Sequence, residues 1–145
     1  MKDLYQEILS DLSMGLEVIL ATLIHQKGST PRSQGTQFLI RPDGTFIGTI
    51  GGGRLEAEVL QSAPSVFKEK ATRLLSFRLK GEEVAETEMI CGGEVDVYLE
   101  PFSGSNRSDL ELFQKISEIR SQGRVAFLAT LIGEKFPMDR SNRKV

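Results

Sequence analysis

The hydrophobic pattern near the N-terminus predicts a helix, a buried strand and a hairpin. Apolar residues recur at helical spacing over 4–12, and Gly15 follows as a stop signal. Residues 17–24 form a nearly unbroken apolar run, which is typical of a strand buried on both faces. Segments 37–41 and 45–50 flank a Pro-Asp-Gly turn sequence, and this arrangement predicts a β-hairpin.

The pattern of the second half adds two helices and three strands. A helix begins after a run of glycines that ends at Gly53, and Pro64 is expected to kink, restart or end it. Further elements are predicted as a strand at 74–79, a strand with one wet face at 94–100, a helix at 110–119 and a last apolar strand at 125–132. We expect a single α/β domain, with α+β as the alternative, in which helices pack on a mixed sheet that contains the hairpin near residues 37–50.

An internal repeat spans much of the chain. A shift of 108 positions aligns residues 4–33 with 112–141 without a gap, and thirteen of the thirty pairs are identical. The sequence Leu-Ala-Thr-Leu-Ile occurs at both 20–24 and 128–132. We interpret the match as a duplication, because shared apolar composition does not explain the matching glycine, lysine and arginine positions.

The repeat leads to a hypothesis about domain organisation. The second copy stops before a counterpart of the hairpin and the glycine run. We predict a first domain at 1–103, with 104–145 as the helix–strand start of a truncated second repeat that packs on the same domain. The chain would then be the front part of a longer ancestral or parent protein.

Composition and charge narrow the class of protein. An apolar fraction of 39% and a charged fraction of 26% are those of an ordinary globular domain. The net charge of −2, without a basic stripe, argues against nucleic-acid binding. One cysteine cannot form an internal disulfide, and the N-terminus does not resemble a signal peptide. The longest apolar run, 18–24, is far shorter than the ~20 residues of a membrane span, so we expect a cytoplasmic protein.

The first candidate loop precedes the second helix and carries three consecutive glycines: Gly51, Gly52 and Gly53. A helix N-terminus presents unpaired N–H groups and partial positive charge, which favour an anion such as phosphate. Glu56 and Glu58 lie close behind and either cap the helix or hold a cation, while Arg54 either neutralises them or joins a bound phosphate. The alternative interpretation is a tight turn that needs positive φ. The spacing is neither the dinucleotide fingerprint nor a P-loop.

Two further loops carry polar and reactive groups. In one, Pro31 holds the hydroxyls of Ser29 and Thr30 on an extended arm, and the guanidinium of Arg32 suits bidentate binding of phosphate or carboxylate. A plain polar surface loop is the alternative. In the other loop, the single cysteine is followed by two glycines: Cys91, Gly92 and Gly93. An exposed thiol there would be a nucleophile or a soft metal ligand, and the alternative is a buried structural cysteine.

Taken together, these motifs resemble the XdhC/CoxI family, the accessory factors of xanthine dehydrogenase and related molybdenum hydroxylases. The resemblance covers the N-terminal part of family members, from about Leu4 to Pro101, and rests on Gly28-Ser-Thr-Pro-Arg32, Gly35, Asp43-Gly44, Gly48-Thr-Ile-Gly-Gly-Gly53, Leu55-Glu56, Cys91-Gly-Gly-Glu94 and Glu100-Pro101. It implies a chaperone and carrier rather than an enzyme. Such a protein binds molybdenum cofactor, as molybdopterin or its dinucleotide form, assists its sulfuration and inserts it into an apo-hydroxylase. Longer members add a Rossmann-type C-terminal domain, which nothing in this sequence resembles.

The resemblance also implies a set of site residues and partners. The expected cofactor-binding residues come from the three loops: Ser29, Thr30, Arg32, Gly51, Gly52, Gly53, Arg54, Glu56, Cys91, Gly92 and Gly93. Cys91 is the candidate soft ligand to the cofactor metal and the one candidate for catalysis. The expected partners are the apo-hydroxylase, a cysteine desulfurase and a second copy of the chain. Two alternatives stay open: a small transferase or hydrolase for a nucleotide or phosphorylated substrate, using Cys91 or Glu56, and a docking or dimerisation module without a ligand.

Overall fold

The computed structural model describes residues 3–28, 32–79 and 93–132. The chain divides into two compact units, a sheet unit of Glu17–Phe102 and a helical unit of Met1–Leu16 with Ser103–Val145. The elements in chain order are α1 (Leu4–Ser13), β1 (Glu17–Gly28), β2 (Gln37–Ile40), β3 (Phe46–Gly48), α2 (Gly53–Glu69), β4 (Arg73–Leu79), β5 (Gly93–Ser103) and α3 (Arg107–Ser121).

The sheet unit is built on an open five-stranded sheet with the order β3-β2-β1-β5-β4. β2 is antiparallel to β1 and to β3, and β4 is antiparallel to β5. β5 also runs antiparallel to β1, because the chain leaves β5 at Gly104, whose N–H donates to the carbonyl of Leu16 at 2.9 Å, directly before β1. The predicted α/β class is confirmed. The sheet is antiparallel rather than mixed, because α2, the helix that connects strands in the described part of the sheet unit, joins the two opposite edge strands and creates no parallel neighbours.

One face of the sheet packs on α2 and forms the core of this unit. The helix contributes apolar residues at three- and four-residue spacing: Leu55, Val59, Ala63 and Val66. The sheet contributes residues from its three inner strands, among them Ile19, Phe38 and Val97, each fully buried. Pro64 lies on an exposed position inside α2, and the helix continues through it. The helix ends at Glu69, and its C-cap residue, Lys70, adopts the left-handed conformation with φ 51°.

The hairpin of β2 and β3 confirms the prediction from the Pro-Asp-Gly sequence. The N–H of Arg41 donates to the carbonyl of Thr45 at 2.9 Å and closes the turn. The Oδ1 of Asp43 accepts both the N–H of Thr45, at 2.9 Å, and its hydroxyl, at 2.7 Å. These two hydrogen bonds stabilise the carboxylate and hold the pKa of Asp43 below its usual value of 3.8.

β5 differs from its predicted form on one face. Val95, Val97 and Leu99 are fully buried as expected, but Tyr98 and Glu100 are only 5% and 6% exposed. The expectation of one wet face is therefore wrong from Tyr98 onward. A polar side chain in an alternating pattern is compatible with burial when its polar atoms find partners, and Glu100 does have a partner.

The helical unit contains α1 and α3, both at the predicted positions. Asp3 caps α1 by accepting the N–H of Tyr5 at 3.0 Å, and Asn106 caps α3 in the same way. The rings of Tyr5 and Phe113 lie 6.2 Å apart. Arg120 pairs with Asp3 at 2.6 Å and lies over the Tyr5 ring. These contacts join the start of α1 to the middle and end of α3.

The last predicted strand, 125–132, is not a strand. It contains an isolated β-bridge at Thr130 and no ladder with any other described residue. Val125 is 85% exposed and Phe127 is 92% exposed, whereas the matching stretch of β1 is almost entirely buried. An apolar run becomes a strand only when neighbouring strands satisfy its backbone, and β1 has β2 and β5 on its two sides. Within 3–28, 32–79 and 93–132, none of the helices has the length and apolarity needed to cross a membrane.

Candidate functional site

The sheet brings three glycine-bearing loops to one of its ends. β1 ends at Gly28, and the loop that follows returns to the sheet at the start of β2. β3 is antiparallel to β2 and ends at Gly48, opposite Phe38. β5 is antiparallel to β1 and begins at Gly93, so its start lies at the same end. The described parts of these loops, which include Arg32 and the glycine run, therefore lie toward the same end of the sheet.

The glycine run adopts a backbone that other residues rarely adopt. The φ angles are 130° at Gly51, 78° at Gly52 and 59° at Gly53. Gly48 has φ 93°, and a Cβ built there would lie 2.8 Å from the carbonyl oxygen of Gln37. The conformation alone therefore accounts for these glycines, as the tight-turn interpretation expects. A Cβ built on Gly52 meets no atom within 4 Å, so the surface above this residue is open.

Glu56 occupies the inside of the glycine loop. Its Oε1 accepts the hydroxyl of Thr49, the N–H of Ile50 at 3.1 Å and the N–H of Gly52 at 2.9 Å. The N–H of Gly51 donates to the hydroxyl oxygen of Thr49 at 3.2 Å. Of the two sequence alternatives for Glu56, capping is thus the one observed. The carboxylate accepts two backbone N–H groups, of Ile50 and Gly52, that an incoming anion could otherwise use, and it places negative charge where the helix dipole favours it.

Arg54 and Glu58 form a separate ion pair on the outer surface of α2. The Arg54 Nε lies 2.6 Å from the Glu58 Oε1, and both side chains are solvent-exposed. A pair of this kind, four residues apart on a helix, contributes little stability. Arg54 therefore neutralises Glu58, as one of the two sequence alternatives proposed.

The remaining predicted site residues divide into described and undescribed ones. Arg32 is exposed beyond the end of β1, and Gly93 is the first residue of β5. Four others lie outside the described residues: Ser29, Thr30, Cys91 and Gly92. Among the described residues, no three His, Cys, Asp or Glu side chains are grouped to hold a metal ion.

Sequence reasoning missed Thr49 as part of this loop. Its hydroxyl links the carboxylate of Glu56 to the N–H of Gly51 and so connects two turns of the loop. The capping-box pattern could not have found it, because that pattern has a hydroxyl residue at the N-cap and an acid three residues later. Here the N-cap is Gly52, and Thr49 lies seven residues before Glu56.

By its fold and loop arrangement, this protein is an α/β domain with a candidate site formed by loops at one end of an antiparallel sheet. Residues 12–78 match the sequence model of the XdhC and CoxI family. The resemblance found in the sequence motifs is thereby confirmed for the N-terminal part.

Individual relatives agree with the family match. The chain is 34% identical over 80 residues to the uncharacterized protein YqeB of Escherichia coli, a match that covers 55% of this chain and 15% of that protein. It is 27% identical over 97 residues to a probable xanthine dehydrogenase subunit of Bacillus subtilis, covering 66% of this chain and 29% of that protein. The crystal structure of a xanthine dehydrogenase from Bacillus halodurans superposes with a TM-score of 0.67 at 26% identity, over 82% of this chain and 35% of the other. The chain thus spans about a third or less of the length of each of these relatives.

Proposed function

We propose that this chain serves the maturation of xanthine dehydrogenase-type molybdenum hydroxylases as a binding and transfer protein. The family match over residues 12–78 and relatives named for xanthine dehydrogenase support this role. The observation that carries the proposal is that the described parts of the candidate loops, at Arg32, the glycine run and Gly93, lie toward the same end of the sheet. Several loops on a rigid scaffold are the usual way in which a domain builds a ligand site.

The ligand in this proposal is molybdenum cofactor. Its phosphate is the group that the described residues could bind. When bound, the cofactor supplies a metal held by a dithiolene on a phosphate-bearing pterin. Arg32 is exposed at the loop end of the sheet and offers a planar guanidinium for phosphate oxygens. A Cβ built on Gly52 meets no atom within 4 Å, so a ligand atom has space to approach the backbone at this residue.

The amides of Gly51 and Gly52 fit an anion poorly, because Gly52 donates to Glu56 and Gly51 donates to Thr49. A phosphate bound by the Gly52 amide would have to displace a carboxylate that accepts three hydrogen bonds. In this proposal the glycine run forms a wall of the site, and these two amides do not bind the phosphate. The parts assigned to Ser29, Thr30, Cys91 and Gly92 are supported by the sequence and by the resemblance. Sulfuration and a cysteine desulfurase partner are supported by the resemblance.

Cofactor retention tests the proposal directly. The chain is purified from a host that makes molybdenum cofactor, and molybdenum and pterin are measured per chain. Arg32→Ala removes the charged donor, and loss of one charge-assisted contact of about 1.5–3 kcal/mol lowers affinity roughly 10- to 100-fold.

The matched control for this experiment is Arg107→Ala, which removes an exposed arginine from α3. It is expected to leave cofactor content unchanged. A wild-type chain that retains no cofactor, or equal retention in both variants, would contradict the proposed site.

A further inference from the structure

The last part of β1 places two polar residues on the α2 side of the sheet. Successive side chains of a strand point to opposite faces, so residues two apart share a face. Ile19, Ala21 and Leu23 belong to the core that α2 covers. The next two positions on that face are His25 and Lys27, and both are exposed. The apolar row under α2 therefore continues, at the loop end of the sheet, as a polar row formed by His25 and Lys27.

The polar row lies at the same end of the sheet as the glycine run. Gly48, at the end of β3, lies opposite Phe38 of β2, and Phe38 lies opposite Ala21 of β1. From Gly48 the chain passes to the α2 side, where Ile50 joins the core, and continues through the glycine run into α2. The polar row begins four residues beyond Ala21 in the direction of the loops. It therefore shares both its end and its face of the sheet with the glycine run.

Both side chains of the polar row have donors that are not used within the chain. Among the residues that the structure describes, neither His25 nor Lys27 makes a hydrogen bond or an ion pair. An ammonium group offers three donors and a neutral imidazole offers one, and a cationic donor binds phosphate oxygens strongly. Other cations of the sheet unit pair with carboxylates: Arg54, Lys70, Arg73 and Arg78. Lys27 differs from these four because no described carboxylate pairs with it.

The acids at the start of α2 are already bound by other groups. Glu56 accepts the N–H groups of the glycine loop, and Glu58 pairs with Arg54 at 2.6 Å. A phosphate at the Gly52 amide would have to displace Glu56, whereas a phosphate at Lys27 displaces no hydrogen bond of the described chain. The polar row is therefore a better anion site than the glycine amides.

We propose that the polar row binds the phosphate of the ligand, with Lys27 as its ion-pair partner and His25 as an N–H donor. This inference rests on the proposed function, to which it adds two binding residues and an orientation of the ligand. The phosphate lies over the end of β1 on the α2 side of the sheet. The rest of the ligand lies toward the glycine run, where a Cβ built on Gly52 meets no atom within 4 Å.

The first test is a titration of the full chain with inorganic pyrophosphate at constant ionic strength, followed by NMR. We expect shifts of the backbone amides of 24–28. Lys27→Ala should raise the dissociation constant about 5- to 10-fold, because it removes a charge-assisted contact, and Lys27→Arg should restore most of the affinity. The matched control is Lys68→Ala, which removes an equally exposed lysine from the last turn of α2 and should leave the affinity unchanged.

The molybdenum and pterin content of the same variants separates this inference from the proposed function. Less cofactor in Lys27→Ala than in Lys68→Ala supports the inference. Equal retention in these two variants, with cofactor retained by the wild type, would show that the inference is wrong while the proposed function stands. A wild type that retains no cofactor but binds pyrophosphate at 24–28 in a Lys27-dependent way would contradict the proposed function and leave the phosphate site in place.

Two results of the titration would overturn the inference whatever the cofactor content. One is the absence of shifts at 24–28. The other is equal weakening of pyrophosphate binding by Lys27→Ala and Lys68→Ala, because both remove one positive charge and only a general charge effect acts equally at both places. Thermal unfolding of the two variants checks that they fold as the wild type does, as expected for exposed side chains.

Discussion

Replacing Glu56 with alanine removes the acceptor around which the glycine loop is folded. The Oε1 of Glu56 accepts one hydroxyl and two backbone N–H groups, from Thr49, Ile50 and Gly52. Alanine leaves these donors without that acceptor and also removes a negative charge from the N-terminus of α2. Leu55, next to Glu56 on the helix, is fully buried, so the loop and the core are perturbed together.

The expected loss follows from these contacts. A hydrogen bond to a charged group contributes about 1.5–3 kcal/mol when fully buried. The contacts of Glu56 are partly buried, so water replaces some of each bond, and about 1 kcal/mol for each of three donors is the appropriate value. Glu56→Ala should therefore lower the free energy of unfolding by about 3 kcal/mol. Glu56→Gln keeps a neutral oxygen acceptor and should lose about half as much.

Urea denaturation followed by circular dichroism measures this loss. With a slope of about 2 kcal/mol per molar urea, the midpoint should fall by about 1.5 M without a change in slope. Glu58→Ala is the matched control, because Glu58 lies on the same helix but only pairs with Arg54 at the surface. Its expected loss is about 0.5 kcal/mol. Equal losses for Glu56→Ala and Glu58→Ala would refute the reasoning that Glu56 holds the loop.

Two further predictions concern the hairpin beside this loop. Gly48→Ala places a side chain at a residue with positive φ and against a backbone oxygen of β2, so it should lower the free energy of unfolding by about 2–4 kcal/mol. Gly44→Ala is the control, because it has the same backbone strain without such a contact. Thermal unfolding should show that Gly44→Ala loses only half as much stability. The lowered pKa of Asp43 means that its hydrogen bonds to Thr45 stabilise the turn above pH 3.8 and are lost as the pH falls through the lower folded-state pKa. An NMR titration of the Asp43 carboxyl carbon that gives a pKa of 3.8 or above would contradict this account.

Local signals in the sequence were sufficient for most elements. The helices α1 and α3 and the hairpin were predicted because apolar spacing, stop glycines and turn residues act within a few positions. The continuation of α2 through Pro64 was not predictable in the same way. Proline removes one helical hydrogen bond at a known cost, but packing of the buried residues on both sides of it decides whether the helix goes on.

The glycine loop shows a different limit of sequence reasoning. The positions of Gly51, Gly52 and Gly53 correctly indicated a special backbone before a helix. Whether the amides of that backbone face a ligand or the chain itself depends on the rotamer of Glu56, which spacing does not determine. The sequence analysis identified the carboxylate of Glu56 as an alternative acceptor for these amides. In the structure it accepts the N–H of Gly52.

The pentapeptide Leu-Ala-Thr-Leu-Ile shows most clearly that neighbouring elements decide whether a segment forms a strand. At 20–24 it is the middle of the central strand, and at 128–132 it forms no ladder within the described chain. Local propensity is the same in both places, so the difference comes from the hydrogen-bonding partners and apolar faces that β2, β5 and α2 supply. The exposed copy keeps the side chains of a buried strand. Supplying an antiparallel apolar partner strand to 125–132 should therefore order it, and amide hydrogen exchange measures the protection that results.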